Sequence, residues 1–355
     1  VVTPAAGDTR PTGDALVAGA QAEVRRRLPG AATATIQNWR PADRGFSTET
    51  YLFEVGGIEH ADRVLPLVLR RPPAVSLFPD YDLRRQVLVM QRLAASPLPV
   101  PTVRWFDPDG GAVGGPYFVM DHIESIGAPS DVPTYHQSGL YLDATPAQRT
   151  GMWDACLRMI ASVHEVDWRA AGLSFLAPGR NSDAQPSPGA ALVDYLDRAL
   201  HWADPRPPAS LEAAIAYLRA HLHDSDPPVL CWGDARLSNL LFDRDLDPVA
   251  VLDWEISYLG DHEADVAWFL FTEWASTVPD GIEPLEGTPG RDWVLDRYET
   301  LTGLPLRRLH YNEVLAPLLL SVPLTRLGAT LDLGDDIDLT GFCCRRVDEL
   351  LATSP

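Results

Sequence analysis

Apolar positions in this chain follow helical spacing near the N-terminus, then strand-like alternation, and later helical spacing again. Asp14–Leu28 predicts a helix, with Arg25–Arg27 near its end. Thr33–Trp39, Thr48–Val55 and Val64–Arg70 predict strands, followed by a helix over Asp82–Ala94 and strands over Val103–Phe106 and Tyr117–Met120. Helices dominate afterwards, except for short apolar runs at Leu230–Cys231, Leu240–Phe242 and Val249–Leu252. Strands first and helices later, with a hairpin inside the helical half, is a two-lobed α+β layout. Ala184–Pro188 and Asp204–Pro208 are proline-rich and read as surface connections, and no internal repeat is visible. The longest apolar run, Leu315–Leu324, is short and interrupted by Pro317 and Pro323, so no membrane span is expected.

The chemistry-bearing residues gather in the later strand group. Residues 228–242 read PVLCWGDARLSNLLF and residues 249–255 read VAVLDWE. Phosphoryl transfer needs a carboxylate to orient and deprotonate the attacking hydroxyl, and oxygen ligands to hold magnesium on the phosphates. In kinase catalytic loops a base Asp is followed five residues later by a metal-binding Asn, and a further metal-binding Asp comes from the next hairpin. Asp234 and Asn239 are five apart, and Asp253 closes the apolar run VAVL after a turn at Asp243–Pro248. Short strands flanking both acids strengthen that reading. A polar hairpin whose Asp and Asn residues only make turns is the alternative.

WGDARLSNLLF and LDWEISYLGDHEADVAW resemble the H-G-D-x-R-x-x-N-x-L-x-F and D-W-E blocks of the aminoglycoside phosphotransferase family. The resemblance extends from the Gly45 loop to at least Trp268. It implies a bilobal protein-kinase-like fold: a nucleotide-covering lobe at about 1–122, and a helical lobe at about 123–355 with the catalytic loop and acceptor site. By the resemblance, Asp234 is the base, Asn239 and Asp253 hold Mg²⁺, and Arg236 braces the loop or contacts phosphate. Trp232 stands where the family usually has His, a position that supports the loop. The loop Gly45-Phe46-Ser47-Thr48 would cover the ATP phosphates. One Gly lets backbone amides approach, and Ser47 and Thr48 offer hydroxyls, although a lone Gly also simply turns hairpins. Arg70 ends the strand LPLVL, where a kinase places a phosphate-reaching Lys, and Gln86 stands where its partner Glu is expected. Arg needs no carboxylate to stay charged, so a neutral amide can orient it. The stretch FVMDHI, Phe118–Ile123, resembles the link between lobes. The Asp121 carbonyl and the Ile123 amide would then meet adenine, with Met120 at the flank. Asp261 and Asp265 read as a cap or loop ties, and His164 in SVHEVDW as a brace. Glu255 either lines the acceptor pocket or pairs with an Arg.

Composition bears on partners and compartment. A net charge of −20 argues against nucleic-acid binding and slightly favours a cationic acceptor. No lysine occurs, so all 29 basic residues are Arg, and the Arg at position 70 belongs to a chain-wide preference. Cys156, Cys231, Cys343 and Cys344 lack zinc or redox spacing, which fits a cytoplasmic enzyme. His221 and His223 read as a helix edge. No secretory signal is legible, and the missing initiator Met leaves a removed leader open. The expected activity is ATP- and Mg²⁺-dependent phosphorylation of a hydroxyl on a small molecule (aminoglycoside-like, amino alcohol or sugar), with a GTP donor left open. Two alternatives stand beside it: a nucleotide-binding protein without transferase activity, favoured by Arg70, Gln86 and Trp232 together, and a kinase of hydroxyacyl or lipid-like hydroxyl compounds, favoured if the pocket near Trp232, Trp254 and Trp268 proves apolar. The sequence leaves the oligomeric state open.

Overall fold

The computed structural model describes residues 10–42, 48–60, 63–177, 187–223, 225, 227–331 and 338–353. The chain divides into two compact units, Val1–Gln91 with Pro101–Ile123, and Arg92–Val100 with Glu124–Pro355. Arg92–Val100 thus groups with the second unit although it precedes residue 122. Its tie is a hydrogen bond from the Val251 amide to the Pro99 carbonyl, 2.7 Å.

The first unit begins with α1 (Gly13–Arg27), followed by β1 (Thr35–Pro41), β2 (Glu49–Gly56), β3 (Leu65–Arg71), α2 (Leu83–Leu93), β4 (Val103–Asp107) and β5 (Tyr117–Asp121). The five strands form an antiparallel sheet in the order β1-β2-β3-β5-β4. Each strand lies within two residues of its expected position. The stripe Leu16, Ala20 and Val24 of α1 packs with Phe53, Val55, Leu67, Leu69, Trp105 and Val119 of the sheet. Side chains alternate across a strand, so Arg71 shares the buried face of Leu67 and Leu69, whereas Arg70 shares the other face with Val68. Arg71 is fully committed: its Nε meets Glu49 at 2.6 Å, and its Nη1 donates to the carbonyls of Pro11 and Val113. The strand therefore assigns neighbouring arginines opposite tasks.

In the second unit come α3 (Leu140–Asp143), α4 (Pro146–His164), α5 (Pro188–Ala203) and α6 (Ala209–Ala220). The short strands β6 (Val229–Cys231), β7 (Leu240–Phe242), β8 (Pro248–Val251) and β9 (Tyr258–Gly260) follow, then α7 (His262–Thr277), α8 (Arg291–Thr302), α9 (Leu309–Leu331) and α10 (Gly341–Ala352). β6 pairs with β9, and β7 with β8. Helices α5, α6, α9 and α10 bury Leu196, Leu200, Leu211, Leu218, Leu318 and Val347 together. Pro317 and Pro323 interrupt the apolar run but not the helix, because α9 continues through both. Each proline forfeits a backbone hydrogen bond, and the burial of Val314, Leu315, Leu318 and Val322 around them offsets that loss. No helix among the described residues is long and apolar enough to cross a membrane.

Glu23 is the one charged residue in the buried stripe of α1. Its Oε2 accepts from Arg26 Nη2 at 2.5 Å, Arg27 Nε at 2.8 Å and the Tyr117 hydroxyl at 2.9 Å. Burial alone would raise its carboxyl, but the Arg27, Arg26 and Tyr117 hydrogen bonds outweigh burial and hold it below the usual range. Asp107, bonded to Arg27 and to the amides of Asp109 and Gly110, is held down similarly against its own burial. Glu23→Gln is expected to cost about 1–3 kcal/mol in denaturant unfolding at pH 7, since it removes the charged acceptor of the Arg26, Arg27 and Tyr117 hydrogen bonds while Asp107 still holds Arg27. The parent's advantage is complete above the unfolded carboxylate value of about 4.3. It fades as pH falls through the lower folded values, so the stability gap between parent and variant should narrow in acid.

Candidate active site

β6 runs into the segment Trp232–Arg236, and the exit is shaped by one glycine. Gly233 has φ +90°, and a Cβ there would sit 2.5 Å from the Ile256 carbonyl oxygen. Glycine alone tolerates both conditions. The amides of Trp232 and Gly233 donate to the two oxygens of Asp265 at 2.7 and 2.9 Å. Asp265 lies in the first turn of α7 and is almost fully buried. His164, at the end of α4, bonds Asp265 through Nε2 at 2.9 Å and the Tyr298 hydroxyl through Nδ1 at 2.7 Å. A carboxylate only accepts, so Nε2 carries the proton. Asp265 and His164 are thus loop ties. Asp261 caps α7 through the Glu263 amide and also binds His223 at 2.9 Å and Asn312 at 3.1 Å. His223 is therefore a partner of that cap, lying beyond the end of α6, instead of a helix edge.

The loop delivers Asp234 and Asn239 to each other. Asn239 Nδ2 donates to Asp234 Oδ2 at 2.7 Å and to the Asp234 carbonyl at 3.0 Å. The amide nitrogen is spent, which leaves the amide oxygen to meet a cation. Leu252 N donates to the Asn239 carbonyl at 2.9 Å, extending the β7–β8 ladder to the residue before Asp253. Asp253 itself adopts φ +60°, a left-handed conformation that costs energy outside glycine and recurs at functional sites. Two hard oxygen donors, the Asn239 amide and the Asp253 carboxylate, fit Mg²⁺.

Two partners of Asp234 were not legible as such. Trp268 on α7 donates its indole N–H to Asp234 Oδ1 at 2.9 Å. Arg236 lies between two acids, its Nε 2.9 Å from Asp234 Oδ1 and its Nη1 2.9 Å from Asp131 Oδ2. Nothing in the sequence near Asp131 marked it. Burial raises the Asp234 carboxyl above its ordinary value; Arg236 counters the rise, Asp253 adds to it, and Asn239 counters it. The other two indoles are interior props. Trp232 donates to the Leu252 carbonyl at 2.8 Å and Trp254 to that of Val251 at 3.0 Å, and both are fully buried. Trp232, Trp254 and Trp268 therefore do not form one open apolar pocket. Glu255 lies half-buried in the turn after Trp254.

In the first unit, Arg70 Nη2 donates to Thr48 Oγ1 at 2.9 Å, and Thr48 also shares a hydrogen bond with the Tyr81 hydroxyl at 3.0 Å. Thr48 is thus engaged with Arg70. Gln86 is almost fully buried, and neither end of its amide has a hydrogen-bond partner among the described residues. The bond seen on Arg70 comes from Thr48 and not from Gln86. A buried amide left unpaired costs about 1–3 kcal/mol, which marks Gln86 as a group with capacity for a ligand. Asp121 holds Arg104 through both carboxylate oxygens, at 2.5 and 3.0 Å. Ile123 is the last residue of this unit. Gly45 and Ser47 lie outside the described residues.

Residues 38–301 match the model of the phosphotransferase enzyme family, APH. The chain belongs to this family. It is a small-molecule kinase with the family's bilobal kinase-like fold, and the family implies use of ATP. It is 30% identical over 233 residues to acyl-CoA dehydrogenase family member 10 of Mus musculus, a match covering 64% of this chain and 19% of that protein. The chain thus spans about a fifth of that relative's length. A solved structure of a putative aminoglycoside phosphotransferase from Ralstonia eutropha superposes with TM-score 0.67 at 21% identity, covering 94% of this chain and 95% of that one. A ternary complex of a thermostable aminoglycoside phosphotransferase APH(4)-Ia variant with ADP and hygromycin B superposes with TM-score 0.55 at 15% identity, covering 90% and 94%.

In this APH-family chain the tie at Asp265 is open to direct test. Asp265→Asn leaves one acceptor oxygen for three donors and turns an NH₂ group toward one of them. The variant should lose about 3 kcal/mol, and its Trp232 and Gly233 amides should exchange hydrogen faster than in the parent.

Proposed function

We propose that this kinase transfers the γ-phosphoryl group of ATP, with Mg²⁺, to a hydroxyl group of a small molecule. The observation that carries this reading is the bond between Asp234 and Asn239, which holds a buried carboxylate beside an amide whose oxygen remains for a metal. The acceptor proton passes to Asp234 while the acceptor oxygen bonds to the γ-phosphorus. The bond from that phosphorus to the β–γ bridging oxygen breaks, and ADP leaves. Asn239 and Asp253 would hold Mg²⁺, which when bound neutralises charge on the phosphate oxygens. Arg70, with the Gly45–Thr48 loop, steadies the phosphates, and Gln86 offers its amide N–H to them or its amide oxygen to Arg70. The Asp121 carbonyl and Ile123 amide receive adenine. Arg236, Asp261 and Asp265 support the loop. Four free cysteines, three of them buried, support a reducing, cytoplasmic setting.

A second reading narrows the acceptor to a hydroxyacyl compound. It is supported by the name of the relative at 30% identity, acyl-CoA dehydrogenase family member 10. The alternative within the first reading is a cationic amino alcohol or aminoglycoside, supported by the net charge of −20. Turnover with a hydroxyacyl thioester set against turnover with amino alcohols and aminoglycosides decides between them. A cationic acceptor should also show binding that weakens steeply with salt.

Asp234→Asn should lower transfer by about 10²–10⁴-fold, because Asn cannot take the hydroxyl proton. ATP binding and melting temperature should stay near the parent's. Asp253→Asn should instead weaken Mg²⁺-dependent ATP binding, since it removes charge from the metal site. ATP titration with and without Mg²⁺, together with single-turnover transfer, separates the two. Parent-rate turnover by Asp234→Asn would leave the chain as a nucleotide-binding protein without this chemistry.

A further inference from the structure

A carboxylate offers about four lone-pair sites, two on each oxygen. On Asp234, Oδ1 receives the Trp268 indole N–H at 2.9 Å and faces Arg236 Nε at 2.9 Å. Oδ2 receives a single donor, Asn239 Nδ2 at 2.7 Å. Among the described residues each oxygen thus accepts one hydrogen bond, but Oδ1 also lies against the Arg236 guanidinium, so Oδ2 is the less encumbered of the two. We propose that Trp268 is a positioning residue that occupies Oδ1 of Asp234 and so assigns proton acceptance to Oδ2. This rests on the reading of Asp234 as the base.

The two contacts on Oδ1 differ in kind. The Arg236 contact is an ion pair whose Nε lacks hydrogen-bond geometry, so it attracts the carboxylate without fixing its angle. The indole N–H is directional, and it neither titrates nor accepts. Guanidinium and carboxylate groups favour a two-pronged pairing. Without the indole, Asp234 is free to rotate onto Arg236 and engage both oxygens, which removes Oδ2 from the acceptor. Trp268 opposes that collapse. Its own place is secure, because it is 5% exposed and lies on α7 one turn beyond Asp265, the residue that holds the loop backbone. One helix thereby anchors the main chain of the loop and the side chain of its base.

Arg236 also pairs with Asp131, whose side chain is 42% exposed. That second carboxylate holds the guanidinium beside Asp234 from the far side, so the competition for the base is built into the resting site. Trp268 decides it.

The test compares Trp268→Phe with the parent under saturating ATP and Mg²⁺. Phe keeps an aromatic ring in the core and removes the N–H. The expected result is a fall in kcat of about 10- to 100-fold, the scale of a misplaced catalytic group, with KM for ATP and acceptor within about twofold. A merely structural role would lower the folded fraction or raise both KM values. Should Phe disturb folding, replacement of Trp268 alone by its sulfur isostere 3-benzothienylalanine removes the N–H at nearly constant shape, and the same fall in kcat is expected. In an Asp234→Ala background the Trp268 change should have no further effect on residual turnover. Parent kcat in both Trp268 variants, or an equal fall in the Asp234→Ala background, overturns the proposal. If Asp234→Asn abolishes transfer while both Trp268 variants keep the parent kcat, only the positioning role is lost. Full turnover by Asp234→Asn removes the base assignment itself.

Discussion

Everything at the candidate active site hangs on one buried carboxylate in the first turn of α7. Asp265 accepts the amides of Trp232 and Gly233 and the imidazole of His164, and by doing so it fixes where the chain leaves β6. Backbone donors at such an exit have no strand partner, and leaving them unpaired in the interior would cost more than the bond itself returns. A single acceptor with two oxygens and a full charge meets all three. Gly233 makes the approach possible, since any side chain there would collide with the Ile256 carbonyl. Asp234 is the next residue, so its position inherits that of the tie.

From the tie outward the site is assembled in pairs. The Trp232 indole reaches the Leu252 carbonyl, and the Leu252 amide reaches the Asn239 carbonyl. The segments bearing Asp234, Asn239 and Asp253 are therefore laced by main-chain and indole hydrogen bonds before any metal or nucleotide is considered. Family resemblance puts a His at position 232, and an indole serves the same end because one ring N–H is all the brace requires. Mutual repulsion among Asp131, Asp234 and Asp253 is met by Arg236, whose guanidinium these three carboxylates hold more firmly protonated against its own burial. Arg suits a buried position between acids better than Lys, since its charge does not depend on its surroundings.

In the first unit the same economy appears in a different form. Neighbouring arginines on β3 fall on opposite faces. Arg71 is absorbed by Glu49 and two carbonyls, and Arg70 is held by Thr48. Among the described residues the buried amide of Gln86 has no hydrogen-bond partner, against the rule that interior polar groups are paired.

The sequence by itself determined the order of the strands along the chain, the first two helices and the spacing of Asp234, Asn239 and Asp253. Apolar periodicity and local spacing are properties of neighbouring residues, so they survive without a fold. It also exposed the kinship through short blocks whose order carries the chemistry. What it could not contain is contact between distant segments. Asp131 meets Arg236 across 105 positions and Trp268 meets Asp234 across 34, and neither pairing leaves a local pattern. The prolines of α9 make the same point in reverse. Locally each removes a helix hydrogen bond, yet the helix runs through both with the surrounding apolar residues buried. That the Trp268 indole donates to Asp234 depended on where α7 lies. Only the tertiary structure decided that, because a side chain's partner is set by packing between elements and not by its neighbours in the chain.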